Sequence, residues 1–528
     1  MKVALKNIFT NISIILSIFI YVLLFYFSLT ETSVIDYDMN EYSYFVKDNI
    51  LVNLFFLFLY IYIIYTISSY LYKFKVKHLY IFFMFTISIS LIYLIGNVNL
   101  HPTWDSERVI EAAVGLKSHD YSMFTYGNYI SQYPFQIPIV LYYYLLILIF
   151  GKNYIAFQFV NVIFLVLIYY YLIKISSLIS CNKKITIITL LLCISFISLQ
   201  VYVMFLYSNI PSLFFTCAGI YYFLNHYHVN PIRNMMLSFV FLLCATLLKG
   251  TAYILLIAEI ILYILDFIQT KNIKRILIVI ISTIFIILSP DIANKTVSSL
   301  DSSIDLKTST YKEIALVMGT SYGPRGAGWH NGWYEPYLYK QYGTNTDAMR
   351  KDGIKRTINN LNTLVHDHKL LDFYHDKICS MYINPDYQGF WTISANKAQQ
   401  FGKGNPQAQS FLWITYDKEN DIYSHFTSSF MTGKVNQLII FYENILMNVI
   451  YLGALCYILF NRKKMTTEKI FIPLIFIGCF LFFLLWEAKG QYSILFYILL
   501  FPLTAEGIEQ LAKVIFNNRK SNNLQSCG

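Results

Sequence analysis

Apolar residues along this chain gather in long unbroken runs rather than in stripes that alternate with polar faces. Ile8–Ser28, Leu51–Tyr70, Leu79–Val98 and Leu438–Phe460 carry almost no charge. At about 1.5 Å of rise per residue, some 20 such residues match the ~30 Å hydrocarbon core of a bilayer. Core helices of a soluble protein would keep a polar face, and these do not. The pattern predicts an all-α polytopic membrane protein of about twelve transmembrane helices. They are expected at 8–28, 50–71, 79–98, 153–173, 185–203, 211–226, 234–248, 251–268, 275–290, 437–460, 470–487 and 491–512. The first run follows Met1-Lys2-Val3-Ala4-Leu5-Lys6, a basic start like that of a signal peptide. It is too long for one, and no small-residue cleavage site follows, so an uncleaved helix is expected.

One apolar segment breaks the pattern. Ile137–Phe150 is short and follows Pro134 and Pro138. Counting it as a span would export the basic clusters Lys183/Lys184, Lys271/Lys274/Arg275 and Arg462/Lys463/Lys464, against the positive-inside rule. It is therefore expected to lie on the outer face, as a re-entrant or juxtamembrane helix. Both termini are then cytoplasmic, and the acidic loops with Glu31, Asp36, Asp38, Glu41, Asp48, Asp105, Glu107 and Glu111 lie outside. Residues 291–436 contain no spanning run and are rich in Gly, Asn, Asp, Tyr and Trp. They are expected to form a mixed, mostly α extracytoplasmic insert, with a helix over Asp347–Leu371 and an ordered loop over Tyr322–Pro336. The chain thus divides into 1–290, with its outer loop 99–152, then 291–436, and 437–528.

Composition sharpens this reading. Charged residues are only 13% of the 528, which excludes an ordinary soluble domain. The net charge of +10 is explained by basic residues at helix ends, so no nucleic-acid partner is expected. Most cysteines fall within apolar runs, and Cys379 alone lies in the insert, where no disulfide can form.

The strongest local chemistry is Trp104-Asp105-Ser106-Glu107-Arg108-Val109-Ile110-Glu111, just after the third span. On a helix Glu107 and Glu111 share a face, and Asp105 sits at the N-terminal end, where the dipole favours a carboxylate. A plain N-capping Asp on a surface helix is the alternative. Lys249 and Lys489 stand at helix ends, either as cations for a ligand or as snorkelling side chains. In the insert, Arg325, Trp329, His330, Asn331, Trp333 and Glu335 lie on a Gly-rich segment. These types suit sugar binding through ring faces and hydroxyls, and they equally suit an aromatic-packed structural loop. His366, Asp367, His368, Asp372, His375 and Asp376 match no metal motif and are expected on a solvated helix face, so no metal site is assigned.

The order of these features resembles the GT-C superfamily of membrane glycosyltransferases, which includes protein O-mannosyltransferases and aminoarabinose transferases. The resemblance rests on Asp105-Ser106-Glu107, Gly115, Tyr133-Pro134, Pro138 and Phe150-Gly151 in the first half. Tyr207-Ser208-Asn209-Ile210-Pro211, Leu248-Lys249-Gly250-Thr251 and Trp486-Glu487-Ala488-Lys489-Gly490-Gln491-Tyr492 extend it. It covers residues 80–290 and 437–512 and is architectural more than signature-like. It implies inverting transfer of a sugar from a polyprenyl-phosphate donor in the membrane lipid to an extracytoplasmic glycan, lipid or protein. Asp105 would be the general base, and Glu107 would support it, orient the acceptor or bind a divalent cation such as Mg2+ or Mn2+. Lys249, Lys489 and Arg108 would hold the donor phosphate. Asn209 stands where the family often has Asp, and Gln491 where it often has Arg, so those two charges do not transfer. A polysaccharide polymerase or ligase, or a flippase or transporter of lipid-linked glycans, are the rival readings. Transport would call for charges mid-helix, and the main ones expected are Glu259 and Asp266.

Overall fold

In hydrocarbon every backbone N–H and C=O must be paired within the chain, so each long apolar run is a helix. The computed structural model describes residues 2–35, 41–98, 100–306, 312–332, 334–343, 345–393, 410–411, 414–415, 429–430 and 433–517. Among these, 9 helices are long and apolar enough to cross a membrane, or up to 12 if three bent helix pairs each count as one span. The protein is a mostly helical, multi-pass membrane protein.

The expected twelve spans fall at the top of that bracket, with two differences in membership. The run expected at 211–226 is the Asn209–Asn225 helix of 17 residues, at the short limit for a crossing. The Ile137–Phe150 helix has 14 residues, and with the preceding Ser122–Gln132 segment it forms a pair bent by 102°. So short and so sharply turned, it fits a re-entrant element better than a span. The runs expected at 185–203 and 491–512 are the other two bent pairs, at 61° and 55°.

The helix expected to end at 290 continues to Ser298 in spite of Pro290. Proline lacks an N–H, which leaves the Ile286 carbonyl without its helical donor. Ser289 Oγ donates to that carbonyl at 2.8 Å and the Tyr253 hydroxyl at 3.3 Å, so the helix runs on. The insert consequently begins after Ser298.

Burial separates centre from periphery. In Lys434–Lys464 72% of the most apolar window is covered by protein, against 22% in Ile50–Leu71 and 17% in Ile273–Ser298. The latter two present Phe55, Phe58, Ile281 and Phe285 outward, as lipid-facing helices do. The central helix packs on Lys2–Thr30, Ile50–Leu71 and Phe501–Ala512. A Cβ on Gly507 would collide with the Gly453 carbonyl, so the last crossing requires glycine.

The spans hold more charge than expected. Besides Glu259, the buried Glu443, Glu506 and Glu509 lie within helices of the bundle. Each has a local partner: Ser238 for Glu259, Ser198 for Glu443, Asn461 and Lys469 for Glu506, Lys184 for Glu509. Among the described residues no two of these glutamates share one of those partners.

The insert is mostly helical, with Lys312–Gly319, Tyr334–Tyr342, Thr346–His366 and Leu370–Tyr382. The helix expected over Asp347–Leu371 is broken at 367–369, where His368 takes φ 57°. The expected ordered loop is a tight hairpin pairing Tyr322 with Ala327 and Gly323 with Gly326. A second hairpin, Glu31–Ile35 with Ser43–Lys47, follows the first helix.

Candidate functional site

Asp105 owes its position to the two residues that flank it. Thr103, not Asp105, caps the Trp104–Ser118 helix. The Ser106 hydroxyl accepts from the Thr103 N–H at 3.2 Å and donates to the Thr103 carbonyl at 2.7 Å. Trp104 takes the left-handed region at φ 54°, a conformation that strains a bulky residue. Neither bond involves Asp105, whose exposed carboxylate accepts a hydrogen bond from the Tyr129 hydroxyl.

Around Asp105 the structure gathers residues from distant parts of the chain. Glu335, Glu487 and Lys489 interact electrostatically with it, as do Tyr133, Tyr207 and Tyr492. The Tyr133 hydroxyl donates to Glu335, tying the first loop to the insert. Lys489 meets Glu41 at 3.3 Å, and Glu41 also takes Arg325 at 2.6 Å. The ammonium of Lys249 lies 5.6 Å from the centroid of the Tyr492 ring. Asp105 and Lys249 both act on Tyr492, and the Tyr492 N–H donates to the Lys489 carbonyl at 3.0 Å, so the three residues share one end of the bundle.

The two lysines differ in kind. Burial works against the Lys489 charge, but Glu41, Glu487 and Asp105 outweigh it and hold its pKa above the ordinary value. Lys249 donates to Asn209 Oδ1 at 2.8 Å and has no carboxylate partner among the described residues. Burial pushes its pKa down to about 7. It borders a small cavity with Tyr202, Asn209, Ile210 and Ile494. A buried cation without a counter-ion is costly and is relieved by an anionic ligand.

The 486–489 break, from which Lys489 projects, is held by the insert. Lys377 Nζ, itself buried, donates to the carbonyls of Gly319, of Leu484 at 3.0 Å and of Trp486 at 2.8 Å. The Ala488 N–H donates to the Gly328 carbonyl at 2.8 Å. Gly328 has φ 74°, and a Cβ there would stand 2.7 Å from Lys377 Cε, so only glycine allows this approach. Lys377→Met removes the donor from three carbonyls, and an unpaired buried carbonyl costs about 1–3 kcal/mol. We expect a thermal unfolding midpoint several degrees lower and faster hydrogen exchange at 486–489. Unchanged exchange there would mean that Lys377 does not hold the segment.

Not every expected residue joins the site. Glu107 faces Tyr154, on the side of the exposed Glu111–Lys152 pair. Arg108 is exposed and makes no hydrogen bond or ion pair among the described residues. Trp329, expected as a sugar platform, is 0% exposed, and its indole N–H donates to Ser380 Oγ at 2.9 Å. Its ring is fully buried in the main hydrophobic core with residues of the bundle, which leaves no face for a ligand. Trp333 lies outside the described residues. His330 Nδ1 and Asn331 Oδ1 are buried polar atoms with no partner among the described residues, the kind of group a bound hydroxyl satisfies. Burial first, then Lys489 and Arg325, lower the His330 pKa to about 4 and keep the ring neutral.

Burial raises the Glu487 pKa to about 7; Lys489 opposes the rise, and Glu41, Glu335 and Asp105 add to it. A carboxyl whose folded pKa is raised binds more protons folded than unfolded, so stability falls as pH rises from about 4.5 to 7. Above pH 7 the full penalty is present. Glu487→Gln is expected to match the wild type in unfolding midpoint near pH 5 and to exceed it at pH 8. A midpoint difference that does not grow with pH would remove Glu487 as the titrating group.

Tyr129 and Lys377 are the main site residues the sequence does not mark, because each is recruited by a contact between remote segments. No protein-family model and no curated protein matches this chain.

Proposed function

We propose that the chain is a GT-C-like membrane glycosyltransferase that moves a sugar from a polyprenyl-phosphate donor to an acceptor outside the cytoplasm. The observation that carries the reading is one end of the bundle where the exposed Asp105 carboxylate and the half-buried Lys249 ammonium, which has no carboxylate partner among the described residues, both act on Tyr492. In this reading the donor lies in the membrane with its phosphate at Lys249. Lys489, already paired to Glu41, orients the segment and lends field. Asp105 takes the acceptor proton as the acceptor oxygen attacks the anomeric carbon. The glycosyl–oxygen bond breaks, and the phosphate leaves as a dianion stabilised by Lys249.

Positive loops at 73–77, 183–184, 271–275 and 462–464 support a cytoplasmic opposite end, with both termini inside the plasma membrane. The insert would then be extracytoplasmic, and His330, Asn331 and Glu335 would select the acceptor. The isolated buried glutamates, each with its own partner, weigh against a transport path. The test is turnover of a radiolabelled polyprenyl-phosphate sugar by purified chain in vesicles of bacterial lipid. Release of polyprenyl phosphate coupled to labelling of an acceptor is the expected result. Movement of intact donor across the vesicle, without cleavage, would replace the transferase by a flippase.

A further inference from the structure

His375 and Cys379 stand one turn apart on the Leu370–Tyr382 helix, so both side chains share a face. Against that face lies Glu31, the first residue of the strand Glu31–Ile35 and 348 residues from Cys379 in sequence. His375 Nε2 is 2.6 Å from Glu31 Oε1, Cys379 Sγ is 3.0 Å from the same oxygen, and Sγ to Nε2 is 3.8 Å. We propose that Glu31, His375 and Cys379 form a site for a divalent transition metal, and that Zn2+ is the ion they suit.

Thiolate, imidazole and carboxylate together match a borderline-soft ion and disfavour Mg2+ or Ca2+. Tetrahedral zinc bonds of about 2.0–2.3 Å place ligand atoms about 3.4–3.6 Å apart. The sulfur–nitrogen edge already has nearly that length. The Glu31 oxygen needs to withdraw by less than about 1 Å to complete the triangle. The outer contacts also suit a metal-bound histidine. Asp376 Oδ1 lies 3.2 Å from His375 Nδ1, so a carboxylate fixes the ring and leaves Nε2 for the ion. Tyr322 donates to the other Asp376 oxygen at 3.4 Å. Phe27 and Phe45 present ring contacts to the imidazole at 5.0 and 6.3 Å. Cys379 and Glu31 are covered, whereas the His375 side chain is 37% exposed, which leaves a route in and room for water as fourth ligand.

Binding forms one zinc–sulfur, one zinc–nitrogen and one zinc–oxygen bond. The Cys379 thiol proton and the proton between His375 Nε2 and Glu31 pass to solvent, so affinity rises with pH. The ion would tie the end of the first helix to the helix that carries Lys377, and through it the 486–489 segment. The sequence hides this site because its third ligand comes from the other end of the chain.

The test uses the full chain purified in detergent, stripped with EDTA and titrated with Zn2+ or Co2+. One metal per chain is expected, with a thiolate-to-cobalt charge-transfer band in the near ultraviolet. Cys379→Ser is expected to abolish that band, and Asp376→Asn to weaken binding about 10–100-fold. Absence of the band in the wild type overturns the site whether or not any variant folds. Retention of the same stoichiometry and affinity in a Cys379→Ser, His375→Gln double variant would overturn it too, by assigning the metal to other residues.

Discussion

Asp105→Asn is expected to lower sugar transfer by about 100- to 10,000-fold while leaving expression, insertion and thermal stability unchanged. The size follows from the role, since an amide cannot accept the acceptor proton. The selectivity follows from the local structure. The bonds between Thr103 and Ser106 do not involve Asp105, and Asp105 is exposed. Asn retains an oxygen for the Tyr129 hydroxyl, so the contact survives. Donor KM should move little, because the proposed phosphate position is at Lys249. Glu107→Gln serves as the comparison: its carboxylate faces Tyr154, so a loss of under about tenfold is expected. Turnover retained in Asp105→Asn, or an equal loss in both variants, would take Asp105 out of the chemistry.

The helices were legible because the bilayer imposes one length and one composition on a span. What could not be read locally was how far each helix runs. The continuation through Pro290 rests on the adjacent Ser289 and on Tyr253, 33 residues before the carbonyl they both cap. The bends at 61° and 55° likewise depend on packing inside the bundle. Glu443 was passed over because it is a single acid in a long apolar run, and only the fold reveals Ser198 beside it.

The site was legible in part, for a similar reason. Asp105, Lys249 and Lys489 stand out as charges at the ends of apolar runs. Their relation does not, because it is made by residues of ordinary appearance: Tyr129, Tyr207, Tyr492, and Glu41 in a hairpin between the first two spans. The insert loop misled in an instructive way. Trp329 and Glu335 are near neighbours in one Gly-rich segment, yet Trp329 packs the core and Glu335 reaches Tyr133. An aromatic on a Gly-rich loop serves packing as readily as sugar binding, and composition alone does not separate the two.

Lys249→Met is expected to lower kcat/KM by about 100-fold, of the size seen when one donor to a developing anion is removed. Met keeps the length of the stem and fills the same apolar surroundings of Ile210, Leu213 and Ile494, so folding should not suffer. Removing a half-buried ammonium that has no carboxylate partner among the described residues relieves a desolvation cost, and the unfolding midpoint should stay or rise. The charge argument goes further. A polyprenyl-phosphate sugar carries one negative charge at its phosphate, and the departing polyprenyl phosphate carries two. In the proposed reaction Lys249 therefore binds product and transition state more tightly than donor. Its loss should raise the inhibition constant of polyprenyl phosphate by more than it raises donor KM, and should lower kcat as well. Because burial holds the free Lys249 near pKa 7, donor affinity in the wild type should fall as pH rises above 7. In Lys249→Met it should be flat. Equal loss of donor and product binding with kcat preserved would reduce Lys249 to a general anchor, and no loss of either would leave it as a lysine snorkelling at the membrane edge.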